Sequence, residues 1–129
     1  MQLRLFFGIL FFVLLGTLLA LTYYPNLPDL KIHVKDEWFR LDYIGHLGFY
    51  AAIASSFLTW RAGWRNKTPG KLLFYSIPGG IVLGIATEIS QLAIPGRSFN
   101  LFDMVYNCLG ILLGVAAVVI FSRRVNSKE

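Results

Sequence analysis

The sequence predicts an all-α membrane protein, a polytopic four-helix bundle built as a single domain over residues 1–129. Three observations lead there. The chain is 56% hydrophobic and only 15% charged, whereas ordinary soluble domains run near half and a quarter. Its mean hydropathy is +0.60, more apolar surface than a chain of this length hides from water. The apolar residues also gather into four runs, at about 3–24, 41–60, 72–94 and 101–121. Each approaches the ~20 residues that a helix needs to cross a hydrocarbon core. None of the runs alternates with the two-residue period of barrel strands, and lipid admits only helices and closed barrels.

The first run opens with Arg4 and stays apolar to Tyr24. A cleaved signal peptide has a shorter apolar core and ends at a small-residue site, so this run is read as a retained helix. Pro25 and Pro28 stop it, because proline cannot continue a helix. The connection from Tyr24 to Arg40 mixes Lys31, His33, Lys35, Asp36 and Glu37 with Ile32, Val34, Trp38 and Phe39. That mixture suits a short interfacial segment anchored by Trp38 and Phe39, with His33 as a solvated loop residue.

The second run begins Leu41-Asp42-Tyr43-Ile44-Gly45-His46, and the third contains Ile77-Pro78-Gly79-Gly80. Pro78 marks a kink or a late start of the third helix. Gly80 with Gly84, and Gly110 with Gly114, are small-xxx-small pairs that permit close helix approach in lipid, read here as contacts between the third and fourth helices. Cys108, the single cysteine, lies in an apolar run and reads as a buried core residue. No disulfide within the chain is possible.

Charge orients the bundle. Arg4, Arg61, Arg65, Lys67, Lys71, Arg123, Arg124 and Lys128 share one side with a single acid, Glu129. The other side carries Lys31, Lys35, Arg40 and Arg97 against Asp29, Asp36, Glu37, Asp42, Glu88 and Asp103. The positive-inside rule then puts both termini in the cytoplasm. The net charge of +5 is explained by topology and anionic lipid contact, so no nucleic-acid partner is implied.

Polar residues inside these apolar runs carry the functional signal. Glu88 is the sharpest, because a carboxyl within a spanning helix costs ~2.5–3.5 kcal/mol on insertion scales. It lies near the end of its helix, where the dipole disfavours an anion and no capping role fits. Gln91 follows on the same face. Asp42, His46 and Tyr50 are spaced i, i+4, i+8 and form one stripe. Asp42 is placed to orient the His46 imidazole, although an acid in a first helical turn is also favourable through the dipole alone. Tyr50 is equally readable as a buried, hydrogen-bonded tyrosine. Asn100 with Asp103 resembles an N-terminal capping pattern, and Asn107, too deep for a cap, should bond across helices. Arg97 is placed to pair with Glu88 or Asp103, to hold a lipid phosphate, or both. In the predicted topology all these groups reach similar depth, which implies one polar pocket near the outer face, roofed by the Pro95–Asn100 turn.

These residues resemble the VanZ-like family of small multi-helix membrane proteins. The likeness rests on Asp42-x-x-x-His46-x-x-x-Tyr50, Thr87-Glu88-x-x-Gln91, Pro95-Gly96-Arg97-Ser98 and Asp103-x-x-x-Asn107-x-x-Gly110-x-x-x-Gly114. It implies a bacterial cytoplasmic membrane protein, and the family's namesake is linked to resistance to the glycopeptide teicoplanin.

Beside that resemblance, the residues themselves suggest a pocket that binds or acts on a cell-envelope substrate, such as a lipid or glycolipid headgroup. His46, Asp42 and Glu88 are the catalytic candidates, with His46 as acid or base. Tyr50, Gln91, Arg97, Ser98, Asp103 and Asn107 are the substrate-binding candidates. Ser90 and Ser98 sit in no nucleophile motif. One histidine among scattered carboxylates has no recognised zinc spacing, so no metal site is assigned and no cofactor is identified. The competing class is a non-catalytic accessory subunit whose polar residues form a helix-packing network. A homo-oligomer or a separate membrane partner is compatible with either. A transporter is weaker, since four helices are few for a lone conduction path.

Overall fold

The computed structural model describes residues 2–25, 31–34, 37–63 and 68–126. Helix α1 spans Gln2–Thr22. Strands β1 (Lys31–Val34) and β2 (Glu37–Arg40) pair antiparallel, with Lys31 opposite Arg40 and Val34 opposite Glu37. Helix α2 spans Asp42–Ala62, and α3 spans Gly70–Ser90, continued by a 3-10 turn over Gln91–Ala93. Helix α4 spans Leu101–Asn126. The architecture is thus four helices, as expected, with a small hairpin where the sequence suggested an interfacial segment. Pro28, Asp29, Lys35, Asp36, Arg65, Lys67, Lys128 and Glu129 lie outside the described residues, as do the side chains of His33, Trp38 and Phe39.

Helices α2 and α4 form the centre and pack along each other most extensively. α1 leans on the far side of α2, α3 leans on α4, and α1 and α3 touch each other only sparsely. The core gathers Leu18, Tyr50, Ile53, Ala54, Leu58, Ile111 and Val115. Outside it, α1 exposes Leu5, Phe6, Ile9, Phe12 and Val13, α3 exposes Phe74 and Val82, and α4 exposes Leu112, Leu113 and Ile120. Apolar faces of that extent would be an aggregation hazard in water, and they are the normal exterior of a helix in lipid. Accordingly α1, the α3 segment Gly70–Ala93 and α4 are long and apolar enough to cross a membrane.

α2 falls short of that standard although it is as long as α1. The physical reason is its position. Its neighbours on both sides are helices, so it carries Ser55, Ser56 and Thr59 where lipid-facing helices carry Leu and Phe. The serine hydroxyls are satisfied within the helix itself, Ser55 donating to the Ala51 carbonyl and Ser56 to Ile53.

Two further expectations change. The helix α3 begins at Gly70 and runs through Pro78, so a late start at the proline is excluded. The glycine pairs also divide their work. Gly80 and Gly84 do face α4, against Ile111 and Asn107, but Gly110 and Gly114 lie on the α2 backbone instead. A Cβ at Gly110 would come 2.4 Å from the Leu47 carbonyl oxygen, and one at Gly114 would come 2.3 Å from that of Ala51. This close seam between α2 and α4 sets the spacing of everything at their polar ends.

At the opposite end of the bundle, Arg4 donates from Nε to the Trp60 carbonyl at 3.1 Å and from its terminal nitrogen to the Arg61 carbonyl at 2.6 Å. A cation is favourable at such a helix C-terminus. Arg4→Ala is therefore expected to destabilise the α1–α2 pair by about 0.5–1 kcal/mol, read as a lower thermal midpoint of the detergent-purified protein.

Candidate functional site

The end of the bundle where α1 and α3 finish and α2 and α4 begin holds a cavity of about 290 Å³. Asp42, His46, Tyr50, Gln91, Arg97, Ser98 and Asp103 all line it, together with Arg40, Asn100 and the α1 residues Leu18, Leu21 and Thr22. Segments far apart in sequence thus deliver their polar residues to one space. The volume is close to the lower end of small-molecule pockets, ~300 Å³.

Arg40 is the member that sequence reasoning used only for counting charge. The hairpin ends on it, and it donates from Nε to both Asp42 oxygens, at 3.2 and 3.0 Å, with a terminal nitrogen also closing on Oδ2. The same nitrogen lies 3.8 Å from Asp103 Oδ2. Its guanidinium stacks 4.8 Å above the Tyr43 ring, which itself lies nearly parallel to Tyr106 at 5.2 Å. Asp42 is therefore held by Arg40, and the expected Asp42–His46 orientation is replaced by another arrangement.

His46 is oriented by Asn107. The Asn107 amide nitrogen donates to the Gly84 carbonyl at 3.2 Å. A carbonyl only accepts, so the amide oxygen must face His46, where it lies 2.8 Å from Nδ1. Nδ1 then carries the hydrogen, and in the neutral ring it is Nε2 that keeps the lone pair. Nε2 sits 3.9 Å from Asp103 Oδ2, beyond hydrogen-bond distance. One asparagine thus locks the imidazole tautomer and ties α2, α3 and α4 together.

The cavity floor is set by Tyr50, only 1% exposed, whose hydroxyl bonds the Thr87 hydroxyl of α3. Thr87 in turn donates to the Leu83 carbonyl at 2.9 Å. Interhelical hydrogen bonds of this kind contribute about 0.6–1.7 kcal/mol in membrane proteins. Tyr50→Phe should lower stability within that range, and a Tyr50→Phe/Thr87→Val double-mutant cycle should return most of it as coupling.

Glu88 does not line the cavity. It is fully buried behind the wall, and its Oε1 accepts the Asn100 backbone N–H at 2.9 Å. Asn100 caps α4: its side-chain oxygen accepts the Phe102 N–H at 2.9 Å and its carbonyl accepts the Met104 N–H at 3.2 Å. In a capping box the residue three beyond the cap, here Asp103, would reach back to the cap's own N–H. Glu88 of α3 supplies that carboxylate instead, which corrects the expectation that no capping role suits it. Asp103 is released to face the cavity. Glu88 Oε2 has no hydrogen-bond partner among the described residues.

Arg97 enters on the loop behind the Gly96 turn, where a positive φ of 76° favours glycine. Its Nε is buried and bonds nothing among the described residues, so neither Glu88 nor Asp103, the protein partners expected for it, accepts a hydrogen bond from that nitrogen. Asn107, like Glu88, stands behind the wall rather than in it. Among the described residues no three His, Cys, Asp or Glu side chains cluster as a metal site would require. The chemistry on offer is a guanidinium N–H without a partner among the described residues, an imidazole and carboxylate oxygens around a space of about 290 Å³. Comparison with known proteins finds no match among family models, curated proteins or solved structures.

Proposed function

We propose that this protein is a four-span membrane protein, with both termini cytoplasmic, that binds the polar headgroup of a cell-envelope lipid in the cavity at its outer end. The observation that carries the reading is Arg97, a cavity-lining arginine whose buried Nε has no acceptor among the described residues. A buried donor left unmade costs about 1–3 kcal/mol, and an anionic group in the cavity would satisfy it. Arginine suits phosphate through its planar fork. The carboxylates of Asp42 and Asp103 and the lone pair on His46 Nε2 then favour a headgroup that also carries hydroxyls. His46 Nε2 is the group to take a proton from such a hydroxyl, which is the general-base role.

The topology has two supports. α2 is packed lengthwise between α1 and α4, so it crosses where they cross. Arg4, Arg61, Lys71, Arg123 and Arg124 all fall at the end away from the cavity, the cytoplasmic end by the positive-inside rule. The VanZ-like resemblance, with its link to glycopeptide resistance in the bacterial inner membrane, belongs to the same proposal. Its Asp42, His46, Tyr50 and Arg97 motif positions are cavity residues.

The test is binding of sn-glycerol 3-phosphate to the detergent-purified protein by calorimetry. Arg97→Ala should weaken it about 10- to 100-fold, the equivalent of one charge-assisted hydrogen bond of 1.5–3 kcal/mol, without lowering the thermal midpoint. Absence of binding to the wild type, or equal binding by the variant, sinks the proposal. A second reading, an accessory subunit with a structural network, is favoured by the Glu88–Asn100 and His46–Asn107–Gly84 bonds. It expects Arg97→Ala to be neutral.

A further inference from the structure

A second cavity lies deeper in the bundle and has a different character. It encloses about 220 Å³ and is walled by Phe11 of α1, Ile53 and Phe57 of α2, Gly79 and Leu83 of α3, and Ile111 of α4. The deeper cavity has α1 on one side and α3 on the other, and the polar cavity has α1 facing Gln91 of the 3-10 turn that continues α3; α1 and α3 are helices that touch only sparsely. The two cavities are stacked along that seam. On α1, Leu18 walls the polar cavity and Phe11 the apolar one, two turns or about 10 Å away. On α3 the step from Gln91 to Leu83 is similar, about 12 Å. On α2, Tyr50 faces the first and Ile53 the second, so the Tyr50–Thr87 bond marks the boundary between them.

A polar chamber above an apolar one, on the side of the bundle where α1 and α3 touch sparsely, offers the two environments that an amphiphile needs. We propose that the α1–α3 seam holds one acyl chain of a phospholipid whose phosphate is bound by Arg97. This rests on the headgroup reading above and adds where the tail goes: inward along the seam, past Tyr50, to end between Phe11 and Leu83. Selection of the lipid would then depend on the tail as well as the head.

Gly79 provides a plug for the test. It walls the deeper cavity, yet a Cβ built there meets nothing within 4 Å, so Gly79→Leu introduces its first carbon without a clash and carries the bulk of a plug. The probe is a lysophosphatidic acid carrying a diazirine near the end of its single chain, cross-linked to the purified full-length protein and mapped by mass spectrometry. The expected result is labelling at Phe11, Leu83 or Ile111 that falls at least about tenfold in Arg97→Ala and in Gly79→Leu. Gly79→Leu should leave glycerol phosphate binding unchanged. Labelling that depends on Arg97 but falls on outward residues such as Phe12 or Leu112, or groove labelling that survives Gly79→Leu, overturns the tail placement and leaves the headgroup reading standing. No Arg97-dependent labelling, together with no glycerol phosphate binding, overturns both.

Discussion

Gly114→Leu is expected to leave almost no folded protein. Even the first added carbon would lie 2.3 Å from the Ala51 carbonyl oxygen and 3.0 Å from the Ala54 Cβ. The obstacle is backbone, so no rotamer change relieves it. α2 and α4 must separate, and their contact is the largest in the molecule. Overpacking a tight core costs about 1–3 kcal/mol and sometimes more, and here a whole helix pair would move. That is a large part of the 5–15 kcal/mol by which folded proteins are stable. Gly110→Leu should behave alike, with its Cβ 2.4 Å from the Leu47 carbonyl. The check is the yield of monodisperse protein after detergent extraction, with Gly16→Leu as control, since a Cβ there meets nothing within 4 Å. Normal yield and midpoint for Gly114→Leu would mean that α2 and α4 do not approach as described.

Glu88→Ala is expected to cost about 2–4 kcal/mol, the sum of a lost buried hydrogen bond and a cavity at a fully buried site. Asn100 would lose the acceptor of its N–H, and the first turn of α4 would lose its brace on α3. Glu88→Gln should remain within about 1 kcal/mol of the wild type, because an amide oxygen still accepts that N–H. A catalytic Glu88 predicts the reverse pattern for function: the glutamine variant would accumulate normally and be inactive. Thermal midpoints of both variants, read beside glycerol phosphate binding, separate the roles. If Glu88→Gln binds as the wild type and Glu88→Ala unfolds, the carboxylate is a positioning residue.

The helices were legible because their signal is bulk composition over long stretches, and the observed boundaries fall close to the apolar runs. α4 extends further, through Arg123 and Arg124, since a helix does not stop where hydrophobicity stops. The gathering of Asp42, His46, Tyr50 and Arg97 was legible from spacing and depth. What the spacing could not convey was pairing. A glycine pair signals that something comes close, and nothing in Gly110-x-x-x-Gly114 distinguishes α2 from α3 as that neighbour. Glu88 looked uncapped because its partner, the Asn100 N–H, arrives only when the Pro95–Asn100 loop folds back. Arg40 was missed because its reach depends on a hairpin whose register is set by strand pairing. The α1 wall of the cavity was invisible for a simpler reason. A helix apolar on every face gives no hint of which one turns inward.

The position of α2 has a consequence for how the chain is made. The segment that is least able to enter lipid alone emerges from the ribosome second, long before α4, its main neighbour, exists. When it emerges, α1 is the helix already made, and α1 packs against it extensively. Arg4 holds the Trp60 and Arg61 carbonyls, Gly8 abuts the Trp60 ring, and Phe11 packs against both Phe57 and Trp60 at 5.2 and 5.9 Å. These contacts would let α1 and α2 insert as a prefastened hairpin onto which α3 and α4 dock. The polar cavity takes its Gln91, Arg97 and Asp103 walls from the last part of the chain, so an incompletely synthesised chain lacks that cavity even where α1 and α2 are already paired.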